Sequence, residues 1–322
     1  MTIVAENTLV PKRRQHGGFT LLEMVVSLAL MLVVASAGFS ALDQSQKIYG
    51  TQELQSDMHA SLRSAFELMT QEIGQAGSLN FTPTTTAAAI TANATAQTVT
   101  LASSANIFVG EQLTIDTGVN LEIVSVKTLP GTNQINAIFT LSHASGVPVS
   151  AQGAFPNGIL LPTTTAGNTL QIFGDINANN TLAFVEYDCN PGTSSAPGTL
   201  SRSFTTWTSG VTSKTASQVL LNNLVSNPGG TSCFTPSMGV GGSVTAGNCN
   251  AGGNTFTCVT DMQIMLTVQT SQEDPQTHAF VTETKSFLNI SSRNVFCAYM
   301  IATATSPTPT LLQLTPTGVP LS

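Results

Sequence analysis

The chain has 322 residues and a formal net charge of −7, and only 8% of it is Asp, Glu, Lys or Arg, against roughly 25% in an ordinary soluble domain. Three of its ten basic residues sit together at Lys12, Arg13 and Arg14, and no other basic cluster exists; this argues against nucleic-acid binding, where phosphate contacts draw on a patch of Lys and Arg. Thr, Ser, Asn, Ala and Gly fill the deficit, a composition suited to an extracytoplasmic β-rich protein and not to a cytosolic enzyme.

The first element is apolar. Residues 19–42 read FTLLEMVVSLALMLVVASAGFSAL, with no charge from Met24 to Leu42. About 20 apolar residues in a helix span a hydrocarbon core of roughly 30 Å. The basic trio immediately before this run keeps the amino terminus cytoplasmic and sends the rest outward. Ala35-Ser36-Ala37 could imitate a signal-peptidase site. Two features oppose that reading: the length of the apolar run, and the carboxylate of Glu23 inside its first turns. An acid buried in hydrocarbon costs at least about 2.5 kcal/mol, so it is a functional residue by default and needs a partner.

Gly18-Phe19-Thr20-Leu21-Leu22-Glu23 resembles the prepilin cleavage and methylation motif of type IV pilins and type II secretion pseudopilins. The resemblance implies that a membrane aspartic peptidase cuts after Gly18, that Phe19 becomes the N-methylated amino terminus, and that Glu23 serves subunit assembly. Lys12, Arg13 and Arg14 then belong to a leader, residues 1–18. Cleavage leaves a cationic amine on Phe19. In a stack of subunits, Glu23 of one copy could lie beside that amine of its neighbour, so that two costly charges offset each other.

The helical pattern continues beyond the apolar run. Leu54, Met58, Leu62, Phe66, Met69 and Ile73 recur at three- or four-residue steps, and Gln52, Glu53, Gln55, Asp57, Arg63, Glu67, Gln71 and Glu72 are assigned to the other faces. No proline falls between Pro11 and Pro83. One helix from Phe19 to about Gln75, roughly 85 Å long, is therefore expected, ending near Gly74 and Gly77. Its first half would span the membrane and its second would pack on a globular region.

Residues 80–96, rich in Thr, Ala and Asn, read as a linker. Short alternating runs follow at Thr98–Leu101, Gln112–Ile115, Asn120–Val126 and Ala137–Leu141, with a turn at Pro130-Gly131-Thr132-Asn133. A connector at 150–168 leads to further strand patterns at Thr169–Phe173, Thr181–Tyr187, Gln218–Leu221, Asp261–Gln269 and Thr282–Ile290. Residues 227–254 read as a long loop, and the Pro/Thr-rich tail as loosely held.

All five cysteines lie in the C-terminal half, and none forms a C-x-x-C pair, which argues against zinc. In an exported chain they read as disulfides. Cys249 with Cys258 is the first candidate pair and Cys189 with Cys233 the second, with one thiol left over; buried free cysteines are the alternative. Asp175, Asn177 and Asn179, with Glu186 at the twelfth position, imitate part of a calcium loop. Asn180 replaces the glycine of such a loop, however, and residues 181–187 read as a strand, so a polar hairpin turn is the better reading. None of His16, His59, His143 and His278 stands at ligand or triad spacing from Cys or Asp. No catalytic constellation emerges, and no cofactor is implied.

Met58-His59-Ala60-Ser61-Leu62-Arg63-Ser64-Ala65-Phe66, together with residues 285–294, resembles the PilW-type minor pilins. The expected fold is α+β and type IV pilin-like: a long N-terminal helix packed on a β-sheet-rich region. The expected division is a leader at 1–18, an assembly helix at 19–77 (membrane-spanning over 19–42), an inserted β module at 97–149, a C-terminal β-rich pilin domain at 169–300 and a flexible tail at 301–322. The resemblance implies a minor pilin anchored in the inner membrane with its C-terminal part in the periplasm, later in the filament or at the cell surface. Its partners would be the prepilin peptidase and other pilin and minor pilin subunits. The alternatives are a tip-forming type II secretion pseudopilin and a pilus-tip adhesive module.

Overall fold

A computed structural model describes residues 18–79, 82–151, 153–160, 167–237, 247–251, 254–303, 313 and 315–322, with the backbone alone at 237, 247–251, 254–257 and 299–303. Helix α1 runs unbroken over Leu21–Gln75, passing through Gly38 and Gly50. Its apolar stripe (Met58, Leu62, Ala65, Phe66, Met69 and Ile73) is buried, and Glu72 is buried with it. The expectation that Glu72 lies on a polar face is thus corrected. Position 72 falls three residues after Met69 and seven after Ala65, on the stripe itself.

Gly77 ends the helix in a left-handed conformation, φ +74°, and a Cβ there would meet the Phe155 carbonyl at 2.7 Å. Only glycine fits both constraints. Its N–H donates to Phe173 O at 2.9 Å, and its own carbonyl accepts from Phe155 N at 2.9 Å. The end of the helix is thereby stitched to the sheet below it.

Six strands follow: β1 (Thr84–Thr85), β2 (Asn93–Thr100), β3 (Gln112–Ile115), β4 (Glu122–Ser125), β5 (Gln134–Phe139) and β6 (Pro148–Ala151). They form a four-stranded sheet in the order β1-β6-β3-β4 and a β2–β5 ribbon. Alternation sets their inner faces: Ile135, Ala137 and Phe139 of β5 meet Leu113, Ile115, Val124 and Val149 in a separate core. The stretch read as a linker supplies β1 and part of β2, and its Ile90 enters that core, so the folded module extends upstream of residue 97.

Ten more strands are β7 (Ile159–Leu160), β8 (Thr169–Gly174), β9 (Ala183–Asn190), β10 (Gly198–Thr206), β11 (Gln218–Val225), β12 (Phe234–Ser237), β13 (Gly247–Ala251), β14 (Asn254–Cys258), β15 (Asp261–Gln269) and β16 (Thr282–Ser291), and helix α2 spans Arg293–Thr303. Eight of these strands make one antiparallel sheet. β7 to β11 are neighbours in sequence order, and β15 joins β11 and β12 on one edge and β16 on the other. β13 and β14 form a hairpin of their own. The architecture is α+β, a long apolar helix followed by a β-rich globular region.

Val185, Tyr187 and Cys189 of β9, with Leu170 and Ile172 of β8, face the stripe of α1 in the main core. On the opposite face Phe173 and Phe184 meet Phe108, Phe155, Trp207 and Leu321. Both faces of β8 are covered, which explains why all six of its residues are buried. Leu321 is 3% exposed, and Ser322 bonds Thr212 and Lys214 through its backbone. The described part of the tail, 313 and 315–322, is therefore packed and not loose. Helix α2 was also not expected: it occupies the last residues of the stretch read as the β-rich domain, beyond its final strand, and the start of the tail.

Candidate functional site

The amino-terminal candidates meet at the start of α1. Gly18 and Phe19 lie in non-helical backbone immediately ahead of it, and Thr20 is the N-cap, its hydroxyl accepting from Glu23 N at 3.3 Å. The Thr20-x-x-Glu23 spacing is that of a helix start, a signal the sequence reading passed over. A Cβ at Gly18 would meet nothing within 4 Å, so the fold itself gives no reason for glycine there. Lys12, Arg13 and Arg14 lie outside the described residues.

From Phe19 to Leu42 the surface is apolar and open. Phe19 is 77% exposed, Leu21 82% and Phe39 72%. This half of α1 is long and apolar enough to cross a membrane, and none of its apolar window is buried within the molecule. Glu23 is exposed, in the first turn. Among the described residues, no side chain pairs with its carboxylate.

The other half of α1 is fixed to the body. Thr51 Oγ1 donates to Asp274 Oδ1 at 2.6 Å, where the helix first touches the globular region. Further along, Glu72 on α1 receives Tyr187 Oη–H from β9, Arg202 Nε–H from β10 at 3.1 Å, and Arg202 Nη2–H. The guanidinium also lies 5.0 Å from the Phe204 ring centre. Burial pulls the Arg202 pKa down, but the bonds and charge of Glu72 outweigh it and leave it raised. Burial, then the Glu72 charge, holds the Tyr187 hydroxyl well above its ordinary value. Three polar groups from three elements thus form one set, with Glu72 and Tyr187 buried and Arg202 half-buried. The sequence reading missed Arg202, whose partner is 130 residues distant.

The calcium candidates do not converge. Asp175 is buried, and its carboxylate caps its own loop, accepting from Asn179 N at 3.0 Å and Asn180 N at 2.9 Å. Asn179 Oδ1 accepts from Thr181 N. Glu186 lies three residues up β9 from the end of the Gly174–Ala183 pairing, about 10 Å along the strand. There it accepts from Gln171 Nε2 at 2.6 Å and Lys214 Nζ at 2.8 Å. The polar-turn reading fits this geometry, with Asn177 in the same loop. Among the described residues no His, Cys, Asp and Glu group is arranged to hold a metal.

Cys189 is disulfide-bonded to Cys233, closing a separation of 44 residues, and Cys297 is free and exposed. Cys258 is disulfide-bonded; the side chain of Cys249 lies outside the described residues. No histidine stands at ligand or triad spacing from Cys or Asp in the sequence, yet the fold brings His143 to two acids. In the module, His143 Nδ1 stands 3.3 Å from Asp116 and Nε2 2.9 Å from Glu122. Glu122 also accepts from the Thr140 hydroxyl at 2.7 Å. Burial pushes the Glu122 pKa up, but bonds from Thr140, His143 and Leu141 outweigh it and leave it lowered. This buried set ties the β3–β4 turn to the end of β5.

Residues 13–39 match the prokaryotic N-terminal methylation motif, which supports a type IV pilin-like prepilin of the pilin and pseudopilin group. No curated protein and no solved structure matches the chain. The motif covers Arg13 and Arg14 of the basic trio, Gly18, Phe19, Glu23 and the open apolar turns as far as residue 39. It implies processing by a prepilin peptidase and assembly with other pilins, and together with the apolar helix it fits membrane anchoring and pilus association.

Proposed function

We propose that the chain is a minor pilin, a structural subunit and not an enzyme, acting at the initiation or tip of a type IV pilus. The observation that carries this reading is Gly18-Phe19 in open backbone, directly ahead of a capped apolar helix and inside the matched motif. A peptidase can reach that bond without unwinding the helix. Glycine at 18, unneeded by the fold, then answers to the peptidase. Cleavage makes the Phe19 amine, which is methylated and, in an assembled stack, pairs with the Glu23 carboxylate of a neighbouring subunit, a group without a partner among the described residues.

In this reading the precursor spans the inner membrane once, with its globular part in the periplasm, and later passes to the filament or the cell surface. Its partners are the prepilin peptidase and other pilin and minor pilin subunits. The module with its own core favours a tip position, because a stack of subunits accommodates added bulk most readily at its end. A tip-forming secretion pseudopilin shares the same helix chemistry. Gly18→Leu should leave a full-length precursor in the membrane, whereas the unaltered chain should give a mature terminus at Phe19 carrying a methyl group, read by mass spectrometry. A mature terminus near Ala37 would replace this reading with a secreted protein.

A further inference from the structure

The module and the rest of the molecule have separate cores. Among the described residues, no strand of β1–β6 packs closely on α1, α2 or a strand of the large sheet. A module joined in this way is expected to move on its connecting segments unless something else holds it.

The C-terminal segment meets both bodies. At one end, Gln313 brackets the first residue of β3: Gln112 N donates to its Oε1 at 2.9 Å, and its Nε2 donates to Gln112 O at 3.0 Å. Its backbone N–H donates to Ala154 O at 3.0 Å. Next along, the Thr315 hydroxyl donates to Asn157 Oδ1. At the other end, Ser322 N donates to Thr212 O and Ser322 O accepts from Lys214 N, both at 3.2 Å, beyond the end of β10.

Between these ends Leu321 is buried in the aromatic cluster, with Val319 packed against it. The same cluster receives Phe108 from the module, 5.9 Å from Phe155 and 6.0 Å from Trp207 between ring centres. The segment therefore seals the apolar contact that the module makes through Phe108, near the direct bond from Asn106 Nδ2 to Asn180 O, and adds polar ties on either side of it.

The geometry points to residues 313 and 315–322 as a clasp that sets the orientation of the β module on the body. The clasp does not depend on the pilin reading, since it concerns two bodies within one subunit. It makes the module a rigidly presented element, at a fixed angle to α1, and not a tethered one.

The test uses the full chain in detergent. Spin labels go on the native thiol Cys297, exposed on α2, and on Val119→Cys, a module position 96% exposed. Pulsed dipolar spectroscopy should give a narrow distance distribution. Gln313→Ala combined with Leu321→Asp should widen it by about twofold or more, as for a module moving on its connectors, and Gln313→Ala alone should widen it less. Amide exchange at Ile135 in the module core and Val185 in the main core should stay slow in both variants. An unchanged distribution in the double variant overturns the clasp. So does loss of protection at Val185, which would make the segment part of the folding core.

Discussion

The two halves of α1 carry one acid each in an otherwise apolar setting, and the two acids are treated in opposite ways. Glu72 is 4% exposed and closed off by Arg202 and Tyr187 from two strands of the same chain. Glu23 stands in open apolar surface with no partner among the described residues. Neither carboxylate suits the apolar surface around it. Glu72 has its compensation within the subunit, so it belongs to folding. Glu23 has none among the described residues, so we propose that its compensation comes from a neighbouring subunit, which would set folding chemistry and assembly chemistry side by side along a single helix.

The sharpest way to break this comparison is to remove the folding acid. Glu72→Ala leaves the Arg202 guanidinium and the Tyr187 hydroxyl facing each other without their acceptor. Stripping one partner from a buried pair costs about 3 kcal/mol or more. Denaturant unfolding of the globular region should show that loss as a lower midpoint at an unchanged slope. Arg202→Met and Glu72→Met together with Tyr187→Phe should recover much of it, because an apolar set of similar volume carries no desolvation cost and leaves no buried hydroxyl without an acceptor.

Glu111 sharpens the comparison from a third position. It is fully buried in the module, with Oε2 accepting from Phe108 N at 3.1 Å and Oε1 without a partner among the described residues. Burial pushes its pKa up to about 8, against a smaller pull from the Phe108 N–H. The folded chain therefore keeps a proton that the unfolded chain releases above about pH 4.5. Its contribution to stability is present below that pH, falls as the pH rises towards about 8, and levels off beyond it. Between pH 6 and pH 8 this amounts to about 2 kcal/mol. Glu111→Gln should flatten the slope, measured as the unfolding midpoint of the module against pH; an unchanged slope would mean that Glu111 finds a counter-charge or water.

These acids also show what a sequence reveals and what it hides. The apolar half of α1 and the Gly18-Phe19-Glu23 spacing were legible because both are local: one is a composition, the other a short motif. The stripe from Met58 to Ile73 was legible from its period, and the same period placed Glu72 on the buried face, but its charge led to the opposite assignment. Its partner Arg202 lies in β10, whose Gly198–Thr206 run is mostly polar and carries no strong strand signal. His143 was hidden likewise, since Asp116 and Glu122 reach it only once the module has folded. The tail read as loose because Pro and Thr dominate it, while the contacts that hold it, such as Gln313 to Gln112 across 201 positions, are entirely non-local.

The smallest expected effect on folding comes from Glu23→Gln, and it separates the two acids most cleanly. The substitution keeps the shape and removes the charge. Among the described residues nothing pairs with Glu23, so the unfolding midpoint in detergent should stay within about 0.5 kcal/mol of the parent value. The substitution leaves the Thr20 cap in place, because that bond uses the Glu23 backbone N–H. What should fall is incorporation of the mature subunit into filaments, measured as its ratio in sheared filaments to that in membranes. A loss of folding stability comparable to that of Glu72→Ala would mean that Glu23 has a partner within its own chain, and the contrast between the halves of α1 would fail. An unchanged stability and an unchanged filament ratio would leave the helix contrast standing but remove the neighbour's Phe19 amine as the partner, since pairing with that amine requires the charge that Gln lacks.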